Sequence, residues 1–544
     1  MMGTNILVMN AVRPKSIDAV RPKYRTSRVS NRSVRRVRSK RKWLIIAAVP
    51  VIAAVLGGFW YDWNYGRLGL VAPQPVFESN PAGGRIIRVP AGGNVQAALE
   101  QAAAGDIVEL QAGAVYSGTI NLPNKPLTDY VTIRSSAFGA LPPDKRVTPA
   151  QRSSMATITS GMFGRAAVEA ASGANHYRFI GIEFTATGKL FNYGVIVLGS
   201  REIRPADVPH DIEIDRSYVH PAGSTVSRRG IALNSAATTI KNSYIEGFGF
   251  SGEETQGICG WTGTRNVHVI NNYIEGGAEN IMFGGADPAN VYLTPQDIEV
   301  RGNHLNKPES WNNKVTLKTL FELKNAKRVQ FIGNLMTNNW KGSAFRITVR
   351  DQDGGAPFST IEDVTIRDNI IDHAGEGINI LGKDDTYPSQ TLKKLTIENN
   401  LFLNLAGGNA FEGSGYFVQV TDGENITIAN NTVINSGNIT TFYGELPRGF
   451  IFRDNITGHG SYGVHGPIDV RSDVARAMFQ NNVFMNLQGV SSGDYAYPDG
   501  NRLVGGVGEI EFSDTSARDY RLKPTSRFKG KGSNIAPSAI DALD

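Results

Sequence analysis

Short phrases with apolar residues at every second position recur along most of the chain, and each phrase ends in an asparagine. The clearest copies end at Asn272, Asn303, Asn334, Asn369, Asn400, Asn431, Asn455 and Asn482. The steps between these asparagines range from 24 to 35 residues. A two-residue period over short stretches bounded by Asn and Gly predicts β-strands, because helical apolar positions recur about every 3.6 residues.

This repeat predicts a solenoid in which three short strands and three turns fill each coil. Asparagine tolerates the left-handed backbone that a sharp turn needs, and stacked asparagine side chains could hydrogen-bond from coil to coil. A β-propeller blade needs about 40–45 residues. The observed step is shorter, so the propeller is the less favoured architecture.

The ends of the repeat region carry their own patterns. Residues 94–106 predict a short amphipathic helix that caps the first coil, and residues 519–532 predict a closing segment. Residues 136–166, 284–296 and 305–317 predict loop insertions. Insertions at one corner of a solenoid often build its binding face.

These features resemble the pectate-lyase-like superfamily of right-handed parallel β-helices, over roughly residues 83–544. Residues 319–382 are also similar to bacterial β-helix proteins of unassigned activity. The resemblance implies an all-β, right-handed parallel β-helix over 86–544 and an association with carbohydrate. The paired-aspartate signature of the galacturonan hydrolases does not occur in a matching strand context, so the resemblance leaves the activity open.

The N-terminal segment changes the interpretation of the overall charge. Residues 1–42 contain thirteen Lys and Arg and one Asp, and predict a disordered basic cytoplasmic tail. Without them the net charge changes from +6 to −6. The basic tail therefore gives no reason to expect nucleic-acid binding by the folded part.

Residues 43–60 contain no charged residue and predict one transmembrane helix, followed by a linker at 61–85. Basic residues flank only its N-terminal side, so the N-terminus is expected inside the cell. The β-helix would then lie outside the cytoplasmic membrane, in the periplasm or the extracellular space. A cleaved signal peptide is less favoured, because the basic region is long and no clean A-x-A site follows.

Outward side chains on the strand after each asparagine-ended repeat predict a column along the solenoid. Its members are Ala232, Cys259, Met282, Glu322, Arg346, Asn379, Gln419 and Tyr443. Coils stack about 4.8 Å apart, so neighbouring members nearly touch. The middle of the column is polar and the early end is not, which indicates a site over the central coils.

We predict Arg346, Glu322, Lys324 and Arg350 as catalytic residues. The predicted substrate-binding residues are Asn379, Lys383, Trp311, Trp340, Gln419 and Tyr443. The alternative is a plain cross-strand ion pair between Glu322 and Arg346 that stabilises the sheet without catalysis.

Two reactions fit these residue types. A polysaccharide lyase needs a base beside a uronate carboxylate and a cation that neutralises it, roles open to Arg346, Lys324 or Arg350. Asp351, Asp353 and Asp384 are candidate oxygen ligands for Ca²⁺. A glycoside hydrolase needs two flanking carboxylates, for which the central candidates are Glu322 with Asp351 or Asp353.

The sequence thus predicts a membrane-anchored, carbohydrate-active β-helix that acts on or binds an extended acidic polysaccharide. Lyase or epimerase chemistry is favoured over hydrolysis. The alternative is a glycan-binding or adhesive module, or a scaffold for polysaccharide export. Its expected partners are a polysaccharide and the membrane, and no nucleic acid.

Overall fold

The computed structural model describes residues 76–79, 83–161, 164–187, 191–223, 225–406, 412–489 and 496–537. The predicted tail at 1–42 and the predicted transmembrane helix at 43–60 lie outside these residues. Within the described ranges, no helix is both long enough and apolar enough to cross a membrane.

Three ladders of hydrogen-bonded strands form the body of the protein, and almost every neighbouring pair is parallel. Ladder one contains Val76–Ser79, Arg85–Val89, Ile107–Leu110, Val131–Ser135, Asn175–Ile180, His210–Asp215, Ala236–Lys241, Arg265–Ile270, Gln296–Arg301, Ala326–Ile332, Ile361–Arg367, Lys393–Glu398, Glu424–Ala429, Ile451–Arg453 and Phe479–Gln480. Its first pair, which includes part of the predicted linker, is antiparallel.

Ladders two and three complete each coil. Ladder two contains Val115–Ser117, Ala156–Ser160, Ile182–Ala186, Tyr218–Pro221, Tyr244–Ile245, Tyr273–Glu275, His304–Asn306, Leu335–Thr348, Ile370–Leu381, Leu401–Leu405, Thr432–Asn435, Ile456–Gly458, Val483–Met485 and Arg502–Val504. Ladder three contains Ile120–Leu122, Val168–Ala170, Ile196–Leu198, Arg229–Leu233, Gln256–Gly260, Glu279–Phe283, Thr319–Leu323, the later halves of Leu335–Thr348 and Ile370–Leu381, then Val418–Thr421, Thr440–Phe442 and Val464–His465. Leu335–Thr348 and Ile370–Leu381 therefore run through two ladders without an intervening turn.

Helices contribute little to the described structure. Among the described residues, the two α-helices are Val95–Gln101 and Asp473–Met478. Short 3₁₀ turns occur at Phe138–Ala140, Pro149–Ser154, Pro205–Asp207, Val291–Leu293, Glu309–Trp311 and Val507–Glu509. A two-stranded antiparallel hairpin, Phe512–Asp514 with Asp519–Leu522, lies near the C-terminus. The prediction of an all-β parallel β-helix is confirmed, because strands of successive coils pair in parallel.

One continuous core runs inside the coils, because alternate residues of every strand point inward. Aromatic rings pack from ladder to ladder within it. The ring centroids of Phe321 and Phe331 lie 4.4 Å apart, and those of Phe331 and Phe345 lie 5.4 Å apart. Such contacts between fully buried rings fix the coils in register against one another.

The recurring asparagines form the predicted hydrogen-bonded ladder. Each is buried, and from Asn303 onward its Oδ1 accepts from both the backbone N–H and the Nδ2 of the asparagine one coil earlier. For Asn303 and Asn334 these distances are 2.9 Å and 3.0 Å, and the series continues to Asn501. The Oδ1 of Asn272 accepts from the backbone N–H of Ser243. The left-handed residue is the one before each ladder asparagine, such as Asn271 or Asp368.

Both ends of the stack are covered. The side chain of Asn94 accepts from the N–H of Ala97 at 3.0 Å, and the helix that follows buries Leu99 on the first coil. The C-terminal segment returns along the outside of the later coils. There the N–H of Gly532 donates to the carbonyl of Asp454 at 2.8 Å.

The predicted insertions pack on different parts of the protein. Leu141, Val147 and Met155 form a separate apolar cluster with Tyr218 of ladder two. Asp287, in the second insertion, accepts from the N–H of Gln352 at 2.7 Å and so bridges to a later loop. The first insertion therefore packs on ladder two, away from the charged column of ladder three.

Candidate active site

The outward column of ladder three has the expected order through most of its length. Glu322 pairs with Met282 on one side and with Arg346 on the other. Arg346 then pairs with Asn379, and Asn379 with Gln419. The last expected member is wrong, since Thr441 and not Tyr443 lies opposite Gln419.

Side chains from five consecutive coils enclose a polar cleft of ≈ 380 Å³ over the middle of ladder three. We call this the central cleft. It is lined by Lys318, Glu322, Lys324, Arg346, Thr348, Arg350, Asn379, Leu381, Asp385, Gln419 and Tyr443. Four of these side chains are Lys or Arg, so the central cleft suits an anionic ligand.

A second carboxyl group, that of Glu279, lies within hydrogen-bonding reach of Glu322. Both residues are almost completely buried, and Oε2 of Glu322 and Oε1 of Glu279 have no donor among the described residues. One proton shared between the two groups would satisfy both oxygens. Burial, together with the charge of Glu279, raises the pKa of Glu322 to about 7.

Local packing explains why Glu279 is buried. The ammonium group of Lys307 donates to the carbonyls of Gly276 and Gly277, each at 2.6 Å, and closes the backbone arc just before Glu279. Lys307 is fully buried, and its burial lowers its pKa to about 7. Gln256 also donates to Oε2 of Glu279 at 2.8 Å. The acid is therefore fixed in place under the central cleft.

Arg346 and Glu322 are neighbours in the sheet, yet they form no ion pair within 4.0 Å. Nε of Arg346 is buried and has no hydrogen-bond partner within the described structure. An unpaired buried donor is unfavourable unless a ligand or water satisfies it. A purely structural Glu322–Arg346 bridge therefore does not account for this pair.

Arg350 is held by acids at the edge of the central cleft. Its Nη1 donates to Asp384 at 3.2 Å and to Asp385. Asp384 in turn accepts from the backbone N–H groups of Asp351, at 2.7 Å, and of Thr386, at 2.8 Å. Arg350 is therefore positioned by its loop, and part of its charge is already balanced.

The predicted Ca²⁺ ligands do not come together as a site. Asp351 is buried, and its Oδ1 accepts from the N–H of Ala356 at 2.9 Å, whereas Asp353 is exposed. Burial and the neighbouring Asp287 raise the pKa of Asp351. Across the described ranges, no three His, Cys, Asp or Glu side chains are arranged to hold a metal ion. This donor set does not fit a cation that prefers six to eight oxygen ligands.

The remaining predicted contact residues divide into two groups. Asn379, Gln419 and Tyr443 line the central cleft, and the hydroxyl of Tyr443 donates to the carbonyl of Ile380 at 3.0 Å. Trp311, Trp340 and Lys383 do not line it. The ring of Trp311 instead packs against the backbone at Gly249, where an added Cβ would lie 2.9 Å from Cε2.

The sequence reasoning missed three members of this arrangement: Lys318, Glu279 and Asp385. Lys318 forms an ion pair with Glu254, and its Nζ lies 3.6 Å from Oε1 of Glu279. Glu279 begins a ladder-three strand and follows a Gly-Gly-Ala turn, which the sequence pattern does not distinguish from a solvated loop. Its position opposite Gln256, at the start of the preceding strand of ladder three, was the available signal.

Solved structures with the same architecture include carbohydrate-active enzymes. The PL6-family alginate lyase AlyGC matches with a TM-score of 0.53 and 13% identity, over 84% of this chain and 58% of that one. A mannuronic-acid-specific family 6 lyase from human gut microbiota gives 0.44 and 14%, over 77% and 90%. The A-module of the Azotobacter vinelandii mannuronan C-5 epimerase AlgE6 gives 0.33 and 12%, over 76% and 93%.

The similarity to AlyGC is one of fold, a parallel β-helix. The chain spans 58% of the length of AlyGC, so the two are not alike throughout. No family model matches the chain, and no curated protein matches it either. At this level of identity the comparison establishes the fold alone.

Proposed function

We propose that the protein is a polysaccharide lyase that cleaves an extended, uronate-containing glycan in the central cleft. The observation that carries this proposal is the unpaired Arg346, beside Lys324, in a cleft that also contains a carboxyl group with a pKa near 7. Cations that lack internal acid partners suit a substrate carboxylate, and a group that titrates near neutrality suits proton transfer.

In this mechanism Arg346 and Lys324 bind the carboxylate of one uronate unit. Their positive charge stabilises the negative charge that develops when the C5 proton is removed. Glu322, once ionised, accepts that proton. A C4–C5 double bond forms, the C4–O4 bond breaks, and the leaving oxygen takes a proton from solvent or from a neighbouring cation. An epimerase would share the first step and return the proton to the opposite face.

A hydrolase is less well supported by the carboxyl geometry. Hydrolases hold two carboxyl groups roughly 5–9.5 Å apart, one on each side of the bond. Glu322 instead has Glu279 within hydrogen-bonding reach, and Asp351 has Asp287. Each acid therefore faces another acid at close range, which favours a shared proton over two separate catalytic roles.

The proposed location rests on residues 1–60. A basic segment followed by eighteen uncharged residues supports a single-pass anchor with the β-helix outside the cytoplasmic membrane. An extracytoplasmic enzyme would meet cell-surface or environmental polysaccharides directly. The location could be tested by protease accessibility of the β-helix in intact cells and spheroplasts.

The reaction is tested with the full chain on mannuronan, guluronan, alginate and polygalacturonate. A lyase produces new ultraviolet absorbance from the unsaturated uronate, and Arg346→Ala should lower the rate at least ~100-fold. Arg301→Ala, a half-exposed arginine on ladder one, is the matched control and should keep full activity. Circular dichroism and thermal unfolding verify the fold of both variants.

Other outcomes would decide against a lyase. New reducing ends without absorbance would identify a hydrolase, and exchange of the C5 proton without cleavage would identify an epimerase. Tight binding with no reaction would identify a glycan-binding module. Equal lyase rates for the Arg346→Ala variant and the unsubstituted protein would show that the reaction does not take place in the central cleft.

A further inference from the structure

A second and larger cavity, of ≈ 880 Å³, lies over the earlier coils of ladder three. We call it the arginine groove. Met282 and Gly284–Gly285 line it, and Met282 pairs in the sheet with Glu322 of the central cleft. A Cβ added to Gly284 would lie 2.9 Å from the Cβ of Lys324. The two cavities are therefore neighbours along one face of the protein.

The floor of the arginine groove combines a cation with an aromatic ring. The guanidinium carbon of Arg229 lies 4.7 Å from the ring centroid of Trp261. Nε of Arg229 is buried and has no hydrogen-bond partner within the described structure. Arg228, beside it, donates to the backbone carbonyl of Glu254 at 3.4 Å. Stacking on Trp261 fixes the plane of the Arg229 guanidinium, and the thiol of Cys259 lies within its hydrogen-bonding reach.

The acids that line the arginine groove are held by donors other than Arg228 and Arg229. Glu169 accepts from Arg165 at 2.6 Å, and Glu202 accepts from the N–H of Ser200 at 2.9 Å. Asp287 accepts from three backbone N–H groups of the loop at 352–355. Neither Arg228 nor Arg229 forms an ion pair with a described acid. The guanidinium groups of Arg228 and Arg229 are therefore not bound to a carboxylate of the groove and remain open to an anionic ligand.

The other side of the central cleft has a different character. A cavity of ≈ 490 Å³ there is lined by hydroxyl and amide groups, two tyrosines, His465 and Glu376, with no Lys or Arg among its described lining residues. Gln419 borders both it and the central cleft. Of the two cavities that flank the central cleft, only the one on the N-terminal side thus has guanidinium groups among its described lining residues.

We propose that the arginine groove binds further uronate units of the same polysaccharide, on the N-terminal side of the cleavage point, through Arg228, Arg229 and Trp261. This inference rests on the proposed function. The strand of Arg229 lies three coils from that of Glu322, or roughly 14 Å. A long acidic glycan that follows ladder three would therefore contact both cavities, and the polymer would be bound more strongly on one side of the scissile bond.

The test measures binding of octa- and trisaccharides of mannuronate, guluronate and galacturonate by titration calorimetry. The full chain carries Glu322→Gln throughout, so that slow turnover permits titration. Arg229→Ala and Trp261→Ala, each added to this background, should weaken octasaccharide binding about tenfold or more and trisaccharide binding clearly less. Arg229→Lys, which keeps the charge but not the stacked plane, should give an intermediate loss. Arg301→Ala again serves as the control.

The possible results separate the two proposals. Suppose that the unsubstituted protein has lyase activity and that Arg229→Ala and Trp261→Ala leave the octasaccharide affinity unchanged. This result would contradict glycan binding in the arginine groove and would leave the proposed reaction in the central cleft unaffected. Equal losses for short and long oligomers would also contradict binding in the arginine groove. If the unsubstituted protein neither binds nor cleaves any of these sugars, the proposed function itself fails.

Discussion

Glu322 lies where a carboxyl group is both removed from water and placed beside a second carboxyl group. Desolvation disfavours its charged form, and Glu279 adds like-charge repulsion. Arg346, which pairs with Glu322 on the next strand, has a buried Nε donor without an acceptor among the described residues. An anionic ligand would supply the acceptor that Arg346 lacks, and a proton shared with Glu279 would satisfy Glu322.

Glu322→Gln should lower lyase activity by roughly 100-fold, because glutamine cannot accept a proton. In the unsubstituted protein the rate should rise with pH through about 7, as Glu322 ionises. Initial rates between about pH 5 and 9 test this. A rate that still rises through pH 7 in the variant would assign the proton acceptor to another group.

The same carboxyl group should also make stability depend on pH. Its pKa is higher in the folded protein than the ordinary value of 4.5, so folding takes up a proton. The free energy of unfolding should therefore fall as pH rises from about 4.5 through about 7. Urea unfolding should show a weaker decline in Glu322→Gln over that window.

At the scale of elements, the repeats predicted ladder one and the asparagine ladder because every coil needs the same turn and the same buried amide. The register of Tyr443 was missed because Thr440, a polar residue, occupies an inward position that the pattern assigns to an apolar side chain. Burial of Glu279 was missed because it depends on Lys307, which lies one coil later in the chain. Alternation shows which way a side chain points, but not what later covers it.

Asn369→Ala should destabilise the protein by about 2–4 kcal/mol, because several buried groups lose partners at once. Its Oδ1 accepts from the N–H of Asn334 at 2.8 Å, and its Nδ2 donates to the carbonyl of Phe331 at 3.0 Å. Asn312→Ala, at an exposed position of an insertion, is the control. Equal urea midpoints for the two variants would show that the amide ladder adds little stability.

At the scale of the whole molecule, each coil contacts mainly the coil before and the coil after it. Stability in such a stack is approximately a sum of local contributions, and the ends need covers. The helix Val95–Gln101 provides the first cover by burying Leu99. The two charged cavities lie well inside the stack, where both neighbours support every rung.

Leu99→Asp should therefore loosen the first coils selectively. Hydrogen exchange should accelerate at Ile87 and Val108 while Val420 keeps its protection, because opening begins at the uncovered end. Glu100→Asp, on the exposed side of the same helix, is the control. Uniform acceleration along the chain would show instead that the coils open as one cooperative unit.

The outward column of ladder three advances by about 4.8 Å with each coil. In the proposed complex, each outward side chain would therefore contact a different point along the glycan. A substitution at one column position would alter one contact and leave those of the other coils in place. Substrate preference could then change coil by coil, while the continuous apolar core that holds the coils together is kept.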